Sequence, residues 1–384
     1  MSNIINFGGG ATNIPTPFKP EGKSYLTFSS PNSFTLAVND TTKHWNGTLE
    51  YFASNKTWTA WDGTTTLSAV DNDGEHVLYL RGTGNTVITG SNLNYKWVLT
   101  GSDIACVGNI ENLLDYATVA SGGHPTMATN CYRSMFAGCT ALTQAPTLSA
   151  TTLADYCYYN MFRGCTALTQ APALSAITLA ANCYAYMFNG CISITQAPSL
   201  PATTLASHCY TYMFSGTAIT QAPALPATTL TNNCYSYMFR GCTSLTQAPA
   251  LPATTLAEYC YMSMFNGCTA LIKAPALPAT TLATNCYAYM FNDCTSLKLS
   301  STQTGEYTQE YRIPTTGAGT TATDALTGMF NSTGGTFTGT PTINTTYYLS
   351  TDNMIVRETE VATLNGYVGS MIDVAIGNAI GGSY

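Results

Sequence analysis

Charge is what this 384-residue chain has least of: Asp, Glu, Lys and Arg together make up 9% of it, against roughly 25% in an average soluble domain. Thirteen Lys and Arg with no basic run cannot neutralise many phosphates, which excludes nucleic-acid binding. Only four His are present, so groups for acid–base catalysis are scarce. No apolar run reaches 18 residues, so nothing reads as a membrane-spanning helix. The opening MSNIINFGGGATNIPTPFKP has neither a basic n-region nor an apolar h-region and does not read as a secretory signal. With hydrophobic residues at 45%, a disordered chain and a coiled coil are both excluded, leaving a structural or binding protein.

What is present is repetition. The pattern CYxxMFxGCTxLTQAPxLPATTLAxx begins at Cys131, Cys157, Cys183, Cys209, Cys234, Cys260 and Cys286, at intervals of 26, 26, 26, 25, 26 and 26 residues. In the short interval SGTAIT replaces the RGCTSLT type, so the second Cys is missing between Gly216 and Thr217. An eighth, degenerate unit surrounds Thr327, Gly328, Met329 and Phe330, after an insertion at 301–323 rich in Thr, Gly and Ser. A 26-residue period is the size of one coil of a leucine-rich-type solenoid, in which each repeat buries its apolar face only against its neighbours.

Within a repeat, Cys157, Met161 and Cys165 lie four apart, and Tyr158 and Phe162 form a parallel pair. That spacing predicts a short helix with one packed stripe, which Gly164, Gly190 or Gly241 would terminate. Leu168 and Leu174 then frame an extended segment holding Pro172. Pro201 or Pro226 with the following Thr-Thr would turn the chain into the next coil. At about 4.8 Å per strand, eight coils would make a rod or shallow arc of roughly 40 Å. Of the fourteen Cys all but Cys106 follow the period, and they read as reduced thiols packed in a core.

These residues resemble the BspA-like leucine-rich repeat family, including its Thr- and Cys-rich variant of gut Bacteroides-type bacteria and their phages. The AxxCYxxMFxGCTxL core over 126–299, with the degenerate unit to about 350, carries the resemblance. It implies surface adhesins or recognition modules and no enzymatic activity. Bacterial members usually carry a secretion signal or anchor, so the resemblance together with the opening residues favours a virion protein.

The expected fold class is mainly β with short helices: an N-terminal β-sandwich, a leucine-rich-repeat-type solenoid and a C-terminal helix. Its expected divisions are an attachment tail (1–20), the sandwich (21–100), a helical cap closing the solenoid (101–125), seven repeats (126–300), the insertion with the last unit (301–350) and the C-terminal segment (351–384). The sandwich rests on the short alternating runs SYLTFSS, SFTLAV, GTLEYF, TWTAW, HVLYLRG, NTVITG and YKWVLT. In the cap, SDIACVGNIENLLDYATVA is apolar at helical spacing, and Ile110, Leu113 and Leu114 need burial. In the last segment Val361, Leu364, Val368, Ile372, Ala375 and Ala379 share one helical face, suited to docking or to a threefold axis.

Candidate chemistry is sparse. Asp71 to Glu75 has the start of a calcium loop without its remaining ligands and reads as a polar hairpin turn. The Cys carry no interleaved His, which disfavours zinc. No repeat offers His208 a Ser, Cys or carboxylate in fixed relation. No catalytic residue, metal ligand or cofactor is therefore expected. Binding residues are sought on positions where repeats vary. One row, before each Met, holds Tyr186, Tyr212, Tyr237 and Tyr289, with Ser134, Asn160 and Ser263; it either binds a glycan or protein or shields the coil edges. The strand row holds Gln144, Gln170, Gln196, Gln221 and Gln247, then Lys273; it either binds or forms a structural amide ladder. Among Trp45, Trp58, Trp61 and Trp97, Trp58 and Trp61 are the candidates for glycan stacking, against core packing.

Together these expectations describe a virion fibre or decoration subunit, joined to other virion proteins through its N-terminal tail and displaying the repeats toward a host-surface glycan or protein. A homo-oligomer, preferably a trimer, is expected, with no nucleic-acid or membrane partner. The alternatives are a bacterial cell-surface adhesin and, further off, a carbohydrate-active enzyme with carboxylates near the Trp cluster.

Overall fold

The computed structural model describes residues 18–21, 25–40, 42–92, 94–314 and 324–356. It is mainly β, with one short helix among the described residues. Strands β1 (Leu26–Ser30), β2 (Thr35–Val38), β3 (Thr48–Phe52), β4 (Trp58–Ala60), β5 (Leu67–Ser68), β6 (Val70–Asn72), β7 (Glu75–Thr83), β8 (Trp97–Thr100) and β9 (Ile104–Val107) precede helix α1 (Asn112–Ala120). They form two sheets. One, with β10 (Leu142–Gln144) at its edge, runs β10-β9-β1-β7-β3-β4 with β6 also on β7; the other runs β5-β2-β8.

Alternation explains β1, where Leu26, Phe28 and Ser30 turn inward. The apolar run of β7 is buried on both faces: Leu78 and Leu80 join the main core, while Val77 and Tyr79 pack with Phe18 and Phe52 on the other side. Phe18, expected in the attachment tail, is held there and its N–H donates to Asn72 Oδ1 (2.7 Å). Gly82 permits the close approach of α1, since a Cβ there would collide with the Leu113 carbonyl oxygen.

Two predicted elements change. NTVITG (85–90) is not a strand; the Ile88 and Thr89 N–H groups both donate to the Cys131 carbonyl, binding this segment to the first repeat. The predicted cap helix over 102–120 begins instead as β9, which pairs antiparallel with β1 and parallel with β10. Ile110, Leu113 and Leu114 are fully buried as the sequence requires. Asp115, with φ −153° and ψ 100°, breaks α1, and its carboxylate accepts the Thr118 N–H as a cap.

The segment read as a helix in each repeat is a run of overlapping turns. In the second repeat Tyr156, Asn160 and Gly164 have φ of 57°, 57° and 71°, so every fourth residue is left-handed. An α-helix, with φ near −63° throughout, cannot contain these corners. The N–H groups of Cys157, Tyr159, Met161, Arg163 and Cys165 donate three residues back. Those of Tyr156, Tyr158, Asn160, Phe162 and Gly164 donate to Ala181, Cys183, Ala185, Met187 and Asn189 of the next repeat, at 2.8–3.0 Å. Gly164 is thus the third corner rather than a terminator. The eighth unit keeps the same corners at Asp324, Gly328 and Ser332 and receives the N–H groups of Tyr287, Tyr289, Phe291 and Asp293.

Corners four apart put Cys, Tyr, Met, Phe and Cys inside. Tyr132 to Tyr287 and Phe136 to Phe330 form two continuous ladders of rings 5.6–5.9 Å apart, planes within 12°. Edge-on rings close the Phe ladder at both ends, Phe28 and Trp97 on Phe136, Tyr311 and Phe337 on Phe330. Elsewhere in the repeat, parallel bridges such as Leu148 to Leu174, Gln221 to Gln247 and Thr229 to Thr255 keep the 26-residue register. The Thr-Thr segment, read as a turn, therefore contributes a rung to the stack.

All fourteen Cys are free and buried. The second Cys of a repeat does more than fill space: the thiols of Cys165, Cys191, Cys242, Cys268 and Cys294 donate to the Phe carbonyl of the preceding repeat, at 3.0–3.1 Å. In the short repeat Thr217 occupies the Cys slot, buried beside Cys242 with its hydroxyl on the Phe214 carbonyl. The missing residue is therefore the one after that slot.

The stack ends in strands β11 (Lys273–Pro275), β12 (Lys298–Ser300), β13 (Tyr307–Arg312), β14 (Gly334–Gly335), β15 (Thr346–Ser350) and β16 (Met354–Val356). A sheet β13-β15-β12-β14 covers the last repeats, and β16 lies parallel on β11. The expected C-terminal helix beyond residue 356 and the attachment tail before residue 18 lie outside the described residues.

Left-handed corners cost non-glycine residues about 1–2 kcal/mol each. Ser134 (φ 56°) adds a buried hydroxyl with no hydrogen-bond partner among the described residues. Ser134→Gly is expected to stabilise the protein by roughly 1 kcal/mol, since relief of both costs exceeds the added chain entropy of glycine. Urea unfolding measures this, and a destabilised variant contradicts it.

Candidate functional site

Two rows on the repeats and the Trp cluster were the sequence candidates. In the first row the structure brings together Tyr186, Tyr212 and Tyr237. Their rings stack at 4.7 Å and 4.3 Å, with planes 9° and 4° apart. Burial pushes the Tyr212 phenol up to about 12 and raises that of Tyr186. Both faces of Tyr212 are occupied by its neighbours, so this row offers ring edges and hydroxyls, not a flat platform. Tyr159 leans on Tyr186, and with Tyr156 it holds the Arg133 guanidinium at 4.8 Å and 5.0 Å. Beyond Tyr237, whose hydroxyl points at Met262 Sδ (3.7 Å), the row is broken by the buried Ser263. Tyr289 stands apart over Gly328 of the eighth unit, where a Cβ would lie 2.6 Å from its ring.

The Gln row is the more open. Gln144, Gln170, Gln196 and Gln221 are exposed. Their positions recur along the parallel rungs, as the Gln221–Gln247 and Gln247–Lys273 bridges show. The one side-chain contact recorded within the row is from Lys273 Nζ to Gln247 Oε1, at 3.3 Å. The four exposed amides make no hydrogen bond to other described residues, so they do not form an internal ladder. Three shallow depressions lie between successive repeats along this row, walled by Gln, Ala, Pro and Thr.

The Trp candidates separate. Trp61 is 3% exposed, stacked on Trp45 at 5.1 Å and met edge-on by Trp97, with its indole N–H on the Thr65 carbonyl. It is a core residue: just beyond β4 it enters the main core, with Trp45 and Trp97 against its ring, and it has no face left for a sugar. Trp58 is half-buried, and the Arg81 guanidinium, itself bonded to Glu50, covers its ring at 4.2 Å.

Asp71 accepts the Gly74 N–H and closes the β6–β7 hairpin, whose left-handed central pair is Asp73 and Gly74. His208 does meet a serine, its neighbour Ser207, at 2.8 Å, and burial lowers its pKa. No carboxylate stands behind the ring among the described residues. One cluster was not legible in the sequence. The carboxylate of Glu111, fully buried, accepts Ser149 Oγ (2.6 Å), His124 Nδ1 (2.9 Å) and Asn109 Nδ2 (3.3 Å). It ties the loop before α1 to the first repeat. Among the described residues there is no group of three His, Cys, Asp or Glu placed to hold a metal ion, and no helix long and apolar enough to cross a membrane.

No family model, curated protein or solved structure matches this chain.

Proposed function

We propose that this chain is a non-enzymatic structural and recognition protein of a virion, a fibre or decoration subunit. In this reading the two N-terminal sheets are a sandwich, the eight stacked units are a solenoid, residues 1–20 attach to other virion proteins, and residues 351–384 join subunits as a trimer. The observation that carries it is the unbroken ladder of backbone bonds and stacked rings from the N-terminal sheets through the first repeat to the eighth unit. Such a ladder makes one stiff element that presents the same uncharged side chains repeatedly, which serves display and multivalent contact better than chemistry. The resemblance to BspA-like repeats points the same way.

Mass spectrometry of purified phage particles is expected to find this chain at a fixed ratio to the major capsid protein. Its absence from particles, with recovery in a bacterial outer-surface fraction, would replace this reading by the adhesin. That second reading is favoured by the same exposed Gln row.

A further inference from the structure

Resting on that recognition reading, we infer that the ligand-binding face is the Gln row of the first four repeats, and that its ligand is an uncharged, extended polysaccharide lying along the stack.

The three depressions are one trough. The first is walled by 144–149 and by Gln170 to Ala173, the second by 169–171 and 195–198, the third by 195–197 and 220–223. Gln170 and Ala171 belong to the first two, and Thr195, Gln196 and Ala197 to the last two, so the walls are continuous over four repeats. No charged side chain lines any of them. The row acquires its first charge at Lys273, two repeats further on.

The lining chemistry selects the ligand. A primary amide carries two donors and an acceptor, and at Gln144, Gln170, Gln196 and Gln221 none is used by another described residue. An anion would waste the carbonyl oxygens and a cation the NH2 groups. A sugar hydroxyl, donor and acceptor at once, satisfies both. Between the amides, Pro and Ala supply apolar edges of the kind a pyranose C–H face covers. The same amide recurs once per repeat, at about the strand spacing of 4.8 Å, so the ligand must present an equivalent group at each step. An extended β-linked glycan advances by about one sugar over such a step. A polypeptide strand shows one face only every second residue, near 7 Å, and would need a free strand edge for its backbone. The trough offers the face of the stack, where Leu148 already bridges Leu174 and the Thr220 N–H already donates to the Thr195 carbonyl.

The test is native affinity electrophoresis of the full chain through gels holding barley β-glucan, birch xylan, yeast mannan or, as an anionic contrast, alginate. Retardation by at least one neutral polysaccharide and not by alginate is expected, and it should persist in high salt. Gln170→Ala combined with Gln196→Ala should weaken it about tenfold or more, from two lost hydrogen bonds, with an unchanged thermal melt. Tyr212→Phe, on the other row, should leave it unaltered. Retardation by none of the neutral polymers, or retardation indifferent to the Gln substitutions, overturns the inference. Labelled protein that still binds intact Bacteroides-type cells in that case leaves the recognition reading standing. Protein that binds neither removes both.

Discussion

Between about pH 9 and pH 10.5 the protein is expected to unfold cooperatively, although it carries few charges to repel one another. The cause is its fourteen buried thiols. Burial raises every one of them: Cys139, Cys242 and Cys286 to about 11, Cys191 and Cys234 to about 12, and others, such as Cys165 and Cys268, well above the ordinary range. An unfolded thiol ionises near 8.5. Because the folded pKa is raised, the thiol contributes its full stability below the unfolded value. As pH climbs past that value the unfolded chain sheds protons that the folded chain keeps, so stability falls. One pH unit above the unfolded pKa each such thiol has cost about 1.4 kcal/mol, and fourteen together roughly 20, more than the 5–15 kcal/mol that holds most domains. The buried tyrosines of the inner ladder, raised by the same desolvation, add to the loss above about pH 10. Far-UV circular dichroism against pH measures the transition. A thiol reagent at pH 8 should label no Cys in the native protein and all fourteen in urea. A native spectrum retained at pH 11, or ready labelling without denaturant, contradicts the buried ladders.

Replacing Phe214 by Ala is expected to cost about 3–5 kcal/mol and to divide the molecule. Phe214 is fully buried between Phe188 at 5.8 Å and Phe239 at 5.9 Å. Truncation leaves a cavity and removes two ring pairs worth about 0.5–1.5 kcal/mol each beyond burial. The repeat also departs from the others, one residue short and with Thr217 in the Cys slot. Among the described residues the repeat of Phe214 has backbone bonds only to the repeats on either side, so damage here uncouples those units. All four Trp lie before residue 98 and report only the N-terminal half. Urea unfolding of the variant should therefore show two transitions, an early one in circular dichroism and a later one in Trp fluorescence. Coincident transitions shifted by less than about 1 kcal/mol would mean that the stack is not held together by this ladder.

Much of this was legible in the residues. The 26-residue period, the inward Cys, Tyr, Met and Phe, and the reduced state of the thiols all follow from spacing alone, and the structure has them as expected. The misreading of the turns as helices has a definite cause. Both arrangements put residues four apart on one face, and side-chain pattern carries no sign of φ. Residue choice did hold a trace of it: Gly at six of the seven third corners, and Asn at four of the seven first corners, are types that tolerate the left-handed region. The candidate site was half legible. Repeat variation located the Tyr and Gln rows, but nothing in the letters Tyr186, Tyr212 and Tyr237 says that their rings cover one another, or that the amides of Gln170 and Gln196 are left free. Trp58 and Trp61 differ by three positions in sequence, and only packing of the second sheet places one at the rim and the other in the core.

The sequence by itself determined the period, the core and the scarcity of charge, because each repeat must bury the same side chains against a copy of itself. The tertiary structure decided the hand of the corners, the direction of the hydrogen bonds and the faces left to solvent. Those depend on where the next repeat sits. A backbone N–H that turns out to meet Ala181 instead of its own repeat, or a carboxylate at Glu111 that finds Ser149, is settled by contacts 25 or more residues apart that no local pattern contains.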